Sequence, residues 1–485
     1  MRIRQMLRES EAWILIILVL VTLLSRLILI DLNKGLWWDE ASFLVEAKDF
    51  LGEKPCDWEP HRMPGFPLLL LPFVSLFDLN LVALRLWQTF FMIIAVVFTY
   101  LLGKELYNKK VGFISALLLS LAWLPLFYSL RILAHVPATA IVVVALYFFV
   151  KGFKSEDKSK MFFSGLSLGL CYSVRIESIP IFLSLLLFIA YREKLRVIKK
   201  RELYFFLLGF AILFFSYQIW QLVKFGSFFH QETLNYELTR KMHEPFFGYF
   251  QMFPHVFTIP TLIFLLIGAA YSFIKIRERE NLLLLITLFV FLLLSSFSPH
   301  KEDRYLIPIL PISFILTSVG INLVASIIRA SEIVKVSVSL SITLLLSYFS
   351  LNYGFPILLA KAPTYSVVRD TAVYLSSYSN NQTIFIPFSV GAPSPQICLF
   401  AGPKEYLPYP KNLTALLSEA RKKQAIIYYA FPYDGDVDYI SLRNFLKDGS
   451  FDTLEYQRWL NETGLKVIKL FKEDETGAVI ILYAV

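Results

Sequence analysis

Asp39 and Glu40 stand side by side in a polar stretch just after the first long apolar run, preceded by Trp37 and Trp38. Adjacent carboxylates can supply a general base that takes a proton from a hydroxyl or amine. They can also simply cap a helix, since acidic side chains favour a helix N-terminus, and the tryptophans can be interfacial anchors. Far along the chain lies Pro299-His300-Lys301-Glu302-Asp303-Arg304-Tyr305, and basic residues recur where apolar runs end: Arg26, His61, Arg62, Arg85, Arg131, His135 and Arg175. Arg offers a planar fork and Lys a point charge, and both suit phosphate or pyrophosphate. A carboxylate base with a set of cations is the equipment of group transfer from a phosphorylated donor. Simpler readings stand beside it. Arg175 and Glu177 can pair across a tight turn, 300–304 can be a solvated loop, and His61 and His135 read more readily as interface residues than as metal ligands.

Whether the acids and cations share a side depends on the membrane. The 485 residues are 56% hydrophobic, 16% aromatic and 18% charged, in repeated long apolar runs, which makes a polytopic helical membrane protein. The net charge of +9 is not a nucleic-acid signature. Residues 361–485 carry equal numbers of basic and acidic side chains, so the surplus lies in the membrane half, where positive-inside loops account for it. No nucleic-acid partner is expected. Cys56, Cys171 and Cys398 form no metal or redox motif, and Cys56 and Cys398 could pair only if both lie outside.

Apolar runs at 12–30, 84–103, 111–128, 133–150, 161–174, 177–190, 203–223, 255–274, 281–298, 304–328 and 333–351 predict about eleven spans. No small-residue cleavage site follows the first, which therefore reads as a retained helix. The run 68–77 is short and proline-broken, and is expected to be interfacial or re-entrant. Residues 40–51 read as an amphipathic helix in the interface plane, with Phe43, Ala47, Phe50 and Leu51 on one face. With the N-terminus in the cytoplasm, the inner loops 1–11, 104–110, 151–160, 191–202, 275–280 and 329–335 hold about twice as many Lys and Arg as the longer outer loops. Asp39, Glu40 and the cations then all face outward, in a multi-pass plasma-membrane protein.

Two domains are expected: an all-α membrane bundle over 1–351 and an extracytoplasmic α/β domain over 352–485. In the latter, 383–388, 424–431, 465–471 and 478–485 read as strands, and 365–378, 412–423 and 439–460 as helices. Lys472–Gly477 is a hairpin signal, and the sequons at Asn381, Asn412 and Asn461 all fall in this domain.

The membrane half, about 12–330, resembles the GT-C membrane glycosyltransferases, which include protein O-mannosyltransferases and lipid A aminoarabinose transferases. The resemblance rests on Asp39-Glu40 in the first outer loop, Arg26 before it, His61-Arg62-Met63-Pro64-Gly65-Phe66-Pro67 after it, and Tyr128-Ser129-Leu130-Arg131. It also rests on 299–308, which is similar to the His-Lys-Glu-x-Arg segment of lipid-linked mannosyltransferases. No Trp-Trp-Asp-x-Gly segment occurs in the C-terminal domain, where an oligosaccharyltransferase should have one. Acid repeats at Asp434–Asp438 read as a polar loop. The resemblance implies transfer of a sugar from a polyprenyl-phosphate donor to a lipid, glycan or protein acceptor at the outer face, with inversion. Asp39 would be the base, with Glu40 orienting it, sharing its role or binding a divalent metal. Arg26, His61, Arg131, Arg175, His300, Lys301 and Arg304 would bind the donor and its phosphate. A transporter or lipid flippase is the alternative, and predicts repeated halves with charges at mid-membrane. Neither is visible in the sequence.

Overall fold

The computed structural model describes residues 2–54, 61–194, 199–379, 381–386, 395–402, 404–410, 412–431, 454–473 and 478–484. The first helices are α1 (Arg2–Leu27), α2 (Trp38–Phe50), α3 (Gly65–Phe77), α4 (Leu81–Leu106), α5 (Lys109–Leu121), α6 (Trp123–Ser129), α7 (His135–Ser155) and α8 (Lys158–Val174). Then follow α9 (Ser178–Glu193), α10 (Arg201–Phe225), α11 (His230–Thr239), α12 (Gly248–Phe257), α13 (Ile259–Ile274) and α14 (Arg279–Ser296). A 3-10 helix (Asp303–Ile309) leads into α15 (Leu310–Ile327), and α16 spans Glu332–Lys361.

Every run expected to span is helical. Among the described residues, six helices are long and apolar enough to cross a membrane, or up to eight spans if the bent pairs α5–α6 and α12–α13 each count as one. The other three expected spans are α1, α8 and α9. At 17 and 16 residues, α8 and α9 are short for a bilayer, because Arg175-Ile176-Glu177 breaks the apolar run between them. The short run expected at 68–77 is α3, of 13 residues.

Proline sets the breaks that shape the bundle. Pro125 has no N–H for a helical bond to Leu121, and α5 turns into α6 there through 56°. Pro260, in the first turn of α13, follows Thr258 at φ 61°, where α12 and α13 meet at 114°. Pro308 cannot donate to Arg304, and that stretch winds as a 3-10 helix.

The chain divides into two compact units, Met1–Asp31 with Pro60–Leu358, and Leu32–Glu59 with Leu359–Val485. The boundary expected at 351 falls a few residues later, and the first polar loop groups with the C-terminal residues. In that second unit the Lys34 N–H donates to the Ala362 carbonyl at 3.1 Å, and the Arg369 guanidinium to the Lys34 carbonyl at 3.1 Å. A Cβ at Gly35 would lie 2.4 Å from the Tyr365 carbonyl carbon, so only glycine permits this approach. The helix expected at 40–51 forms as α2, but not as a surface helix. Its residues from Glu40 to Lys48 are buried on all sides, Glu46 included, and it packs on a short helix, α18 (Pro395–Ala401).

The rest of the second unit is α17 (Ser366–Leu375), β1 (Thr383–Ile386), α18 (Pro395–Ala401), β2 (Glu405–Pro408), α19 (Leu413–Lys423), β3 (Ile426–Phe431), a helix over Leu454–Thr463, β4 (Lys466–Glu473) and β5 (Ala478–Ala484). The strand order is β2-β1-β3-β5-β4, parallel over β2-β1-β3 and antiparallel over β3-β5-β4. Alternate residues feed two cores: Ile384, Tyr428, Ile480 and Leu482 face α17 and α18, while Phe385, Ile427, Tyr429 and Ile481 face α19 and Tyr456. Coverage on both faces explains strands that read as unbroken apolar runs. The strand β2 was not legible beforehand: it is four residues long and ends at Pro408. The expected residues 387–388, 439–453, 474–477 and 485 lie outside the described residues, as does Cys56.

Helices α8 and α10 cross without room for a side chain, since a Cβ at Gly165 would lie 1.9 Å from the Phe206 carbonyl oxygen. Gly165→Ala is therefore expected to lower stability by roughly 1–3 kcal/mol, the usual cost of overpacking. Thermal unfolding in detergent checks this; an unchanged midpoint would show that the crossing relaxes freely.

Candidate active site

Four of the sequence-predicted cations gather in the first unit, three of them around a residue to which the sequence assigned no role. Tyr305 lies in the 3-10 helix, with the Arg175 guanidinium 5.0 Å from its ring centroid and that of Arg304 at 5.7 Å. His300 meets the same ring edge-on at 5.8 Å. Lys301 turns the other way, its ammonium donating to the Ser298 carbonyl at 2.6 Å and lying 5.9 Å from the Tyr249 ring. The break between α8 and α9 supplies Arg175, the loop after α14 supplies His300 and Lys301, and the 3-10 helix supplies Arg304.

Two carboxylates hold this cluster in place. Arg175 Nε donates to both Glu177 oxygens, at 3.0 and 2.9 Å, so the pairing across the turn is real. Arg304 grips Glu302 with two nitrogens at 2.6 Å, and His300 Nε2 bonds the same carboxylate at 2.8 Å. Each guanidinium pairs with an acid two residues away, which leaves its flat face to the Tyr305 ring.

Arg26 is different. It is fully buried, at 0% exposure. Its Nε donates to Ser129 Oγ at 3.1 Å, and Nη1 to Ser25 Oγ at 2.8 Å and the Ser120 carbonyl at 2.5 Å. All three acceptors are neutral, and Nη2 has no acceptor among the described residues. A buried guanidinium without a carboxylate partner has the chemistry to take up an anion. Arg131, also fully buried, lies two residues beyond Ser129 and 5.3 Å from the Phe127 ring.

One side chain links the two groups. Tyr128, beside Ser129, donates to Asp303 Oδ1 at 2.8 Å. The other Asp303 oxygen meets His255 Nε2 at 3.1 Å, and His255 Nδ1 meets the Tyr353 hydroxyl at 2.7 Å. This Tyr128–Asp303–His255–Tyr353 relay ties α6, α12 and α16 to the 3-10 helix. Only Tyr128 and Asp303 had a sequence signal, through the segments that carry them. His255 had none.

His61 is half-buried where the chain enters α3, and the next carbonyl, of Arg62, accepts from the Gln231 amide. A Cβ at Gly65 would lie 2.5 Å from the Ser173 carbonyl carbon, which brings this segment against the last turn of α8, just before Arg175.

Asp39 and Glu40 belong to the second unit, and their environments differ. Glu40 is buried, and its Oε2 accepts from the Trp37 N–H at 2.8 Å, capping α2. Asp39 is half-buried. The capping role read from the sequence therefore falls to Glu40. Among the described residues no group of three or more His, Cys, Asp or Glu side chains is placed to hold a metal ion, so no step is assigned to one.

Known proteins share this fold. Residues 59–220 match the model of the dolichyl-phosphate-mannose-protein mannosyltransferase family. The fold is similar to that of ArnT from Cupriavidus metallidurans bound to undecaprenyl phosphate, with a TM-score of 0.70, 11% identity, and coverage of 97% of this chain and 98% of that one. It is similar also to the Archaeoglobus fulgidus oligosaccharyltransferase tethered to an acceptor peptide with an NVT sequon, with a TM-score of 0.58, 13% identity, and coverage of 86% and 69%. The same archaeal enzyme, AglB, with an inhibitory peptide and a dolichol-phosphate, matches at 0.58 and 13%, again over 86% and 69%. No curated protein sequence matches this one. The chain thus has the multi-pass fold of the GT-C glycosyltransferases, and the resemblance read from its sequence holds.

Outside the spans, the cluster shifts its own titrations. The hydrogen bond to Glu302 raises the His300 imidazole above its ordinary value against the opposing effect of burial. Burial alone would raise the Glu302 carboxyl, but the His300 bond and Arg304 outweigh it and hold it down at about 2. A raised imidazole contributes stability that is complete below its unfolded value of about 6.5 and disappears as pH rises through the folded value. The wild type should therefore exceed His300→Gln in thermal stability most clearly at about pH 5–6, with the gap closing toward about pH 9. A gap independent of pH would show that the bond carries no charge.

Proposed function

We propose that the chain is a glycosyltransferase that moves a sugar from a polyprenyl-phosphate donor to a lipid, glycan or protein acceptor at the outer membrane face. The observation that carries this reading is Arg26, a fully buried guanidinium bonded, among the described residues, only to neutral oxygens, with one nitrogen left unbonded there. A lipid phosphate supplies the missing anion. Arg131, Arg175, His300, Lys301 and Arg304 add charge for the phosphate as it leaves, and His61 binds beside them. The relatives of like fold support the donor class, since ArnT is seen with undecaprenyl phosphate and AglB with a dolichol-phosphate.

In the reaction, Asp39 takes the proton from the acceptor hydroxyl. The acceptor oxygen bonds to the anomeric carbon from the face opposite the phosphate, the bond from that carbon to the phosphate oxygen breaks, and polyprenyl phosphate departs with the electron pair. The anomeric centre inverts. Glu40 holds the first turn of α2 and so orients Asp39. The cations sit where helices end, at the C-terminal ends of α1, α6 and α8 and just before or at the start of the 3-10 helix, rather than at mid-span as a transport path would require.

The test uses membranes containing the protein, radiolabelled polyprenyl-phosphate sugars and the acceptors of the host envelope. Asp39→Asn is expected to lower transfer by at least about 100-fold while inserting normally. Arg26→Met should weaken capture of polyprenyl phosphate by about tenfold or more. Near wild-type turnover by Asp39→Asn would remove the base assignment, and undiminished lipid-phosphate capture by Arg26→Met would remove the receptor.

A further inference from the structure

His135 begins α7 and is 1% exposed, yet neither of its ring nitrogens has a hydrogen-bonding partner among the described residues. Its backbone is satisfied, the carbonyl accepting from Thr139 Oγ1 at 2.8 Å. Its ring is held by contacts that use no polar atom: it stacks on Tyr305 at 5.8 Å and 16°, and Tyr128 lies at 6.0 Å, tilted by 43°. Arg175 and Arg304, which flank the same tyrosine, are the charged groups that act on it.

Leaving a buried polar atom without a partner costs about 1–3 kcal/mol. A phenylalanine or leucine would fill the space without that cost, so stability does not explain the residue. An uncharged imidazole offers one N–H to donate and one nitrogen to accept. A phosphate oxygen only accepts, and two guanidinium groups already stand there to meet phosphate. A hydroxyl group both donates and accepts, and satisfies either nitrogen.

We propose that His135 is a specificity-determining contact of the donor sugar, hydrogen-bonding one of its hydroxyls beside the Arg175–Tyr305–Arg304 cluster. The inference rests on the glycosyltransferase reading above. It adds that this position recognises the sugar rather than the lipid phosphate. At so buried a position a missing hydrogen-bond partner is felt strongly.

The experiment compares wild type, His135→Phe and His135→Gln in purified, detergent-solubilised full-length form. Donors are polyprenyl-phosphate mannose, glucose and arabinose, each with its monodeoxy analogues. Wild type is expected to prefer one parent sugar over one of its deoxy analogues by roughly 10–100-fold in kcat/KM. His135→Phe should lose that preference by slowing only on the parent, and His135→Gln, which keeps a donor and an acceptor, should restore part of it. Capture of sugar-free polyprenyl phosphate should be equal in all three proteins. If His135→Phe slows every donor equally, or keeps the preference intact, or weakens capture of the bare lipid phosphate, the proposal is overturned. If His135→Phe does not fold, the comparison of wild type with His135→Gln and His135→Leu decides in the same way. If wild type transfers none of these sugars, the glycosyltransferase reading falls and this inference falls with it.

Discussion

A charge inside a helical membrane bundle must find its oxygens in the protein, because hydrocarbon offers none. This requirement explains how the buried arginines of the membrane unit are held. Arg26 meets it by drawing on three places at once, its neighbour Ser25, the end of α5 at Ser120 and the end of α6 at Ser129, and so binds α1 to the bend at Pro125. Arg175 and Arg304 meet it locally, each with a glutamate two residues away. The local solution costs the fold little, since both partners travel together on one short segment. The distributed solution fixes the geometry of three helices and still leaves one nitrogen over.

Tyr305 is the counterpart on the aromatic side. Its ring has two guanidinium groups and two imidazoles around it, and cation–π attraction strengthens where water is scarce. It converts ion pairs from separate loops into one assembly. The relay from Tyr128 through Asp303 and His255 to Tyr353 then couples this assembly to α6, α12 and α16. Positions for binding are therefore set by helix packing rather than by the loops alone.

The bundle was legible in the sequence because hydropathy and basic loops are long-range averages, insensitive to any one residue. The strands of the second unit were legible for a related reason: both faces are covered, so the runs are apolar throughout. Less visible were features decided by a partner elsewhere in the chain. Residues 40–51 have the composition of a surface helix, yet α2 is buried on all sides, because the stretch from Leu32 groups with Leu359–Val485. His135 read as an ordinary interface residue, since periodicity says nothing about which nitrogens go unbonded. The choice between Asp39 and Glu40 was open from types and spacing alone. The bond from the Trp37 N–H to Glu40 is a local feature that types and spacing do not give.

The grouping of Leu32–Glu59 with the last third of the chain has a consequence for biosynthesis. The stretch carrying Asp39 is among the first to leave the ribosome, while its partners, the Ala362 carbonyl and the Arg369 guanidinium, are made some 330 residues later. At about 5–20 residues per second, tens of seconds pass between the two. During that interval the membrane helices can insert and pack, but the loop has nothing to close upon. A chain released early would be anchored in the membrane with its acidic pair unsupported. The second unit is thus assembled from both ends of the chain, and its closure acts as a certificate of completed translation.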